Sequence, residues 1–308
     1  MRFLMIDRIC ELDRGKSARG IRNVSWDDAF LEEIFPGMPV ASSILISEAV
    51  AQLVSWIIVE AKDFTVKPLI TVVDSYTCTG HIQPGDQLEV TGSVESFSDE
   101  GALAHGKMLL NGKPVVAFNH AVCYFYPLSE LDLPERARMQ FKNLYAPGCS
   151  LPRAIKPQRS LMREDVPLSK RAWLDRIVDD GQPERMVAFK NVTATEDYFN
   201  DHFPLKPILP GVIIIKCMAS LSRTLLERML AAQGLAELKP VLTKCEKVKI
   251  RKFVQPGDQL VIEAALLHFA PHKSVLSVKT TVQGKNVSAG TLEFEHISKE
   301  DYRNKYLS

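Results

Sequence analysis

The hexapeptide QPGDQL stands at residues 83–88 and again at 255–260. Reading outward from the two copies, KPL at 67 lies over KPV at 239, the Gly-Lys pair at 112 over the pair at 284, and Ala117 over Ala289, all at an offset of 172. Nearer the start of each copy the offset is 168: IDRI at 6 lies over LDRI at 174, RNVS at 22 over KNVT at 190, and FPGMPV at 35 over FPLKPI at 203. The step of four residues falls after the apolar stretch that follows the last of these pairs, and it corresponds to about one helical turn. The chain is therefore a tandem duplication, and 308 residues divide naturally into two units, each large enough to bury its own core.

Both copies follow one pattern. A short strand (FLMIDRI; AWLDRI) leads through alternating segments to a Pro-rich turn. One long apolar stretch follows, ASSILISEAVAQLVSWIIVEA at 41–61 and VIIIKCMASLSRTLLERMLA at 212–231. Both are too long for a strand and apolar around most of the helix, which predicts buried helices. The segments after each helix alternate with period two between turn signals and predict antiparallel strands. A buried helix wrapped by an antiparallel sheet, twice over, gives an α+β fold. The expected units are residues 1–126 and 168–297, with a Pro-rich basic linker at 127–167 and a tail at 298–308. The prolines of the linker argue against a long element there. Nine Lys or Arg against Glu164 and Asp165 between 136 and 171 read either as a solvated linker or as a docking surface for an acidic partner.

With 46% hydrophobic and 24% charged residues and a formal charge of +1, the chain carries no global attraction for nucleic acid. The six cysteines form no CxxC pair, so neither a zinc site nor a disulfide framework is indicated, and reduced thiols in a cytoplasmic, soluble protein are expected. No apolar run is read as reaching the roughly 18 residues of a membrane span. The histidines at 81, 105, 120, 268, 272 and 296 show no metal-ligand spacing.

The turn HFPLKPILPG at 202–211, its apolar helix and the strand KIRKFVQPGDQL at 249–260 together resemble the hot-dog-fold 3-hydroxyacyl-[acyl-carrier-protein] dehydratases. The resemblance covers both copies, the chain becoming a double hot-dog. It implies a signature of His-Phe-Pro, Pro-Gly at the helix start, an acid fourteen residues after the histidine and a glutamine four further on. In the second copy His202, Phe203, Pro204, Pro207, Pro210 and Gly211 fit, but Lys216 occupies the acid position and Ser220 the glutamine position. In the first copy Ile34 occupies the histidine position and Ser43 the glycine position, while Glu48 and Gln52 fit. Each copy has lost what the other kept.

In the family, each site joins the histidine of one subunit to the acid of the other. The resemblance thus implies an internal pseudo-dimer with one complete site, His202 and Gly211 meeting Glu48 and Gln52, and one degenerate site marked by Ile34 and Lys216. The implied reaction is dehydration of a 3-hydroxyacyl thioester, on acyl carrier protein or CoA, to the trans-2-enoyl thioester, without cofactor or metal. His202 would be the base, Glu48 the acid, Gln52 its orienting partner and the Gly211 N–H the oxyanion donor. Lys247, Lys249 and Arg251 alternate on one strand and read either as carrier-protein docking residues or as a solvated face. A hot-dog thioesterase, a non-catalytic carrier-binding module and a dehydratase that also isomerises the double bond stand as alternatives.

Overall fold

The repeated hexapeptide does the same local work twice. Gly85 and Gly257 take φ of +97° and +95°, a region in which only glycine is unstrained. Asp86 and Asp258 each accept the backbone N–H of the glutamine three residues earlier, at 2.7 and 2.9 Å. The glycine N–H groups donate to Val24 and Val192 carbonyls, both at 2.8 Å. The turn thereby launches the next strand beside the second strand of its own copy.

The computed structural model describes residues 3–26, 28–149, 173–178 and 181–306. The first copy runs β1 (Arg8–Asp13), β2 (Ser17–Asn23), β3 (Leu31–Phe35), β4 (Met38–Ala41), α1 (Ser43–Ile46), α2 (Glu48–Ala61), β5 (Val66–Cys78), β6 (Gln87–Phe97), β7 (Gly101–Leu110) and β8 (Lys113–Pro127). After α3 (Pro134–Leu144) the second copy runs β9 (Arg176–Val178), β10 (Arg185–Asn191), α4 (Gly211–Ala232), β11 (Lys239–Ile250), β12 (Gln259–Ala270), β13 (Lys273–Val282) and β14 (Lys285–Ile297), and α5 (Lys299–Tyr306) follows.

The strands form one sheet in the order β1-β2-β6-β7-β8-β5-β11-β14-β13-β12-β10-β9, with β3 and β4 a separate hairpin. Read from either end the order is the same, copy for copy. The two half-sheets join where β5 pairs antiparallel with β11, Cys245 opposite Tyr76 and Val248 opposite Val73. α2 and α4 lie inside the curve of the sheet. Close packing there depends on missing side chains: a Cβ on Gly106 would stand 2.1 Å from Val50 Cγ1, and one on Gly92 2.9 Å from Val54 Cγ2.

Five expectations change. The first apolar stretch is two helices, because Ser47 turns its hydroxyl back onto the Ile44 carbonyl at 2.6 Å, a local bond that competes with the helix ladder. By length and composition Ser43–Ala61 is apolar enough to cross a membrane; here it is core, wrapped by the sheet. The stretch read as linker holds the eleven-residue helix α3, since Pro134 sits in its first turn, where a missing N–H costs nothing. Its Arg136 donates to the Asn200 carbonyl at 3.0 Å and Arg138 to that of Asp63 at 2.7 Å, so these two cations serve the fold. Lys142, in the last turn of α3, is exposed, and the other six cations of the basic docking reading fall on 150–172, outside the described residues.

The tail, too, is a helix, and Tyr302 of α5 is fully buried. Finally, Cys10 and Cys149 form a disulfide across 139 residues of sequence, a pairing that spacing alone cannot reveal. Cys78, Cys123, Cys217 and Cys245 are free and buried.

Candidate active site

The two Pro-rich turns share a sequence pattern but not a structure. In the first copy the chain folds back as the β3–β4 hairpin. In the second it forms an irregular loop ahead of α4, pinned by the Leu209 N–H on the Val254 carbonyl at 2.8 Å. This loop holds His202. The imidazole stacks on Phe203, with ring centroids 4.1 Å apart, and takes the edge of Phe3 at 5.6 Å. Its Nδ1 lies 2.8 Å from the Ile208 carbonyl. A carbonyl can only accept, so Nδ1 carries the proton and Nε2 keeps a free lone pair. Burial pushes the His202 pKa down to about 4 against the Ile208 bond, and the Lys67 charge adds to the fall. The ring is therefore neutral near neutral pH, with Nε2 in the form that can accept a proton.

Glu48 opens α2, and Gln52 lies one turn on along the same face. Gln52 Nε2 donates to Glu48 Oε1 at 3.3 Å and to the Phe3 carbonyl at 2.8 Å, while Gln52 Oε1 accepts the Met5 N–H at 2.8 Å. Burial raises the Glu48 pKa to about 7; the Gln52 bond and the Lys67 charge limit the rise. The carboxyl is thus a proton donor over the range in which His202 is a base, a separation of pKa values typical of acid–base pairs.

Glu48, Gln52, His202 and Gly211 line one cavity of about 220 Å³. Gly211 begins α4, so its N–H belongs to the first turn, where no intrahelical acceptor exists and the helix dipole favours negative charge. Lys67 of β5 also lines the cavity, its ammonium 5.3 Å from the Trp56 ring and 5.9 Å from that of Phe203. Burial lowers its pKa, opposed by Glu48 and Asp132. Sequence reading missed Lys67 and Phe3. KPL at 67 recurs as KPV at 239, so nothing in the repeat marked one lysine as special, and Phe3 acts through its backbone.

The reciprocal pair is arranged differently. Lys216 Nζ lies 2.6 Å and Arg223 Nη1 3.2 Å from Glu32 Oε2, and the space beside them is about 30 Å³. Burial would raise Glu32, but the Lys216 and Arg223 charges carry its pKa down to about 2. Ile34 packs on the buried cluster of Phe35, Met38, Val241, Ile297 and Tyr302. Tyr302 bonds His81 through its hydroxyl.

Comparison with known proteins identifies both copies. A FabA-like domain model matches residues 1–119 and an ApeI dehydratase model residues 179–291. The chain is 33% identical over 121 residues to the 3-hydroxyacyl-[acyl-carrier-protein] dehydratase FabZ of Listeria monocytogenes serotype 4b, covering 39% of this chain and 82% of that protein. It is 37% identical over 129 residues to FabZ of Streptococcus equi subsp. zooepidemicus, covering 39% and 84%.

The chain belongs to the 3-hydroxyacyl-[acyl-carrier-protein] dehydratase family.

It carries two dehydratase domains in tandem, and its fold is the double hot-dog. Among solved structures, a putative oleoyl thioesterase from Lactobacillus plantarum superposes with a TM-score of 0.56 at 11% identity over 92% of this chain and 97% of that one. The 12:0-ACP thioesterase from Umbellularia californica does so with 0.52 at 7% identity over 92% and 94%. At such identities these two show the shared fold alone.

Proposed function

We propose that the family's dehydration runs in this chain at one composite site, with the base from the second copy and the acid from the first. The observation that supports this reading is that His202 and Glu48 line the same cavity of about 220 Å³ while the reciprocal positions flank an ion pair and about 30 Å³. His202 Nε2 takes the C2 proton of the 3-hydroxyacyl thioester. The freed electron pair forms the C2=C3 bond, the C3–O bond breaks, and Glu48 gives its proton to the departing hydroxyl, which leaves as water. Negative charge gathers on the thioester oxygen as the C2 proton moves, and the Gly211 N–H at the start of α4 stabilises it.

The acyl group arrives as a thioester of acyl carrier protein or CoA. Lys252 lines the cavity, and Lys206 lies 5.3 and 5.7 Å from the rings of Tyr126 and Phe253. Lys247, Lys249 and Arg251 are exposed, while Val248, Ile250 and Lys252 between and beside them line the cavity. In this reading Lys252 and Lys206 meet the carrier first and the other three act at longer range.

The test is hydration of a short trans-2-enoyl thioester, followed by loss of enoyl absorbance. Activity lowered by about 10²-fold or more in His202→Ala and Glu48→Gln but kept in Ile34→Ala supports the composite site. Turnover near the wild-type rate in either of the first two variants contradicts it, and release of free thiol identifies a thioesterase instead.

A further inference from the structure

Phe3 touches both halves of the site. Its carbonyl accepts from Gln52 Nε2 at 2.8 Å, on the acid side. Its N–H donates to Asp201 Oδ2 at 2.8 Å, and its ring edge meets the His202 imidazole at 5.6 Å, on the base side. The residue is 2% exposed. Two positions on, the Met5 N–H donates to Gln52 Oε1 at 2.8 Å.

These two backbone groups remove the ambiguity of an amide. A backbone N–H can only donate and a carbonyl can only accept, so the carboxamide oxygen must face Met5 and its NH2 must face Phe3. The second N–H of that NH2 then points at Glu48 Oε1, 3.3 Å away. Flipping the amide would break both backbone bonds and set oxygen against oxygen. A carboxyl oxygen that already accepts a hydrogen bond is the poorer place for a proton, which leaves Oε2 to carry it.

We propose that Phe3–Met5 is a positioning clamp: by fixing the orientation of Gln52 it fixes the acidic proton of Glu48 on Oε2, and through Asp201 and His202 it holds acid and base in mutual register. This rests on the composite-site reading above. Neither Phe3 nor Met5 donates or accepts a proton in the reaction.

The test uses the full chain, a version beginning at Met5, Met5→Pro, which removes the N–H that holds Gln52 Oε1 together with the buried Met5 side chain, Met5→Ala, which removes that side chain but keeps the N–H, and Phe3→Ala, which keeps the backbone. Hydration of trans-2-enoyl-CoA is measured from pH 4 to 9, with melting curves as the check on folding. The shortened chain and Met5→Pro are expected to lose about 10- to 100-fold in kcat, as small misplacements of catalytic groups do, with KM changed less. In Met5→Pro the alkaline limb of kcat/KM moves to higher pH, because the Gln52 bond that favours the Glu48 carboxylate is loosened; Met5→Ala, which keeps the N–H, leaves it in place. Phe3→Ala, which keeps that bond, leaves the limb in place and lowers kcat less.

Wild-type kcat in the shortened chain and Met5→Pro overturns the clamp, as does a limb in Met5→Pro that matches that of Met5→Ala. Where the shortened chain does not fold, Met5→Pro decides. Near wild-type activity in Glu48→Gln overturns the underlying site reading instead, so the two failures are distinct.

Discussion

Two clefts related by the internal duplication have met opposite fates. In one, a histidine, a carboxyl and a helix N-terminus line open space; in the other, an isoleucine, a lysine and a tyrosine close it. In the proposed reading the second cleft is the degenerate one, and its space is also filled. Lys216 was taken up into an ion pair with Glu32 and Arg223, and α5 laid Tyr302 and Tyr306 against Ile34 and His81. A cavity with no substrate to fill it loses the contacts its walls would otherwise make. Filling such a space restores those contacts.

The contrast gives predictions of graded size. The largest concern the open cleft. His202→Ala and Glu48→Gln each lower turnover by about 10²- to 10⁴-fold, the usual worth of one acid or base, with melting temperature little changed. In the closed cleft the same kind of truncation acts on stability. Glu32→Ala leaves Lys216, 6% exposed at its side chain, without its carboxylate partner, and denaturant titration is expected to show a loss of about 3–5 kcal/mol with kcat retained.

The Glu32 pKa is depressed in the folded state, so its stabilising share is present above about 4.5 and fades as pH falls toward about 2. Wild type should lose more stability over that interval than Glu32→Leu/Lys216→Leu, a pair that restores packing. Tyr302→Ala empties part of the plug and costs about 3 kcal/mol, again with kcat unchanged; a second active site appearing in this variant would break the comparison.

Smaller still is the pH effect. His202 must be neutral and Glu48 protonated, so kcat/KM falls below about 4 and above about 7, by about tenfold per unit beyond each limb. Glu48→Asp sharpens this test if the alkaline limb moves while the acid limb stays. Ile34→Ala, at the histidine position of the closed cleft, changes turnover least of all.

Much of this was legible in the residues. QPGDQL marked the repeat because the same Gly and Asp build the same turn in both copies, and period-two alternation gave the strands. Glu48 and His202 stood out because each is chemically odd in its setting, a carboxyl in an apolar helix and a histidine in a Pro-rich turn. What stayed hidden depends on contacts between distant segments. The Cys10–Cys149 pair, the approach of Lys67 to the Phe203 ring and the ion pair of Glu32 with Lys216 each join residues far apart in sequence. α3 and α5 were obscured because prolines and charges at helix starts look like linker until the buried residue, Ala137 or Tyr302, is placed. Phe3 left no signal in side-chain chemistry, since its peptide groups do the holding.

The most direct measurement is the rate of enoyl-thioester hydration in His202→Ala, Glu48→Gln and the double variant. One composite site predicts that each single variant falls to the same low rate and that the double variant falls no further, because the two groups act as a unit. Two independent sites would leave about half the wild-type rate in at least one single variant, and that result would contradict the account.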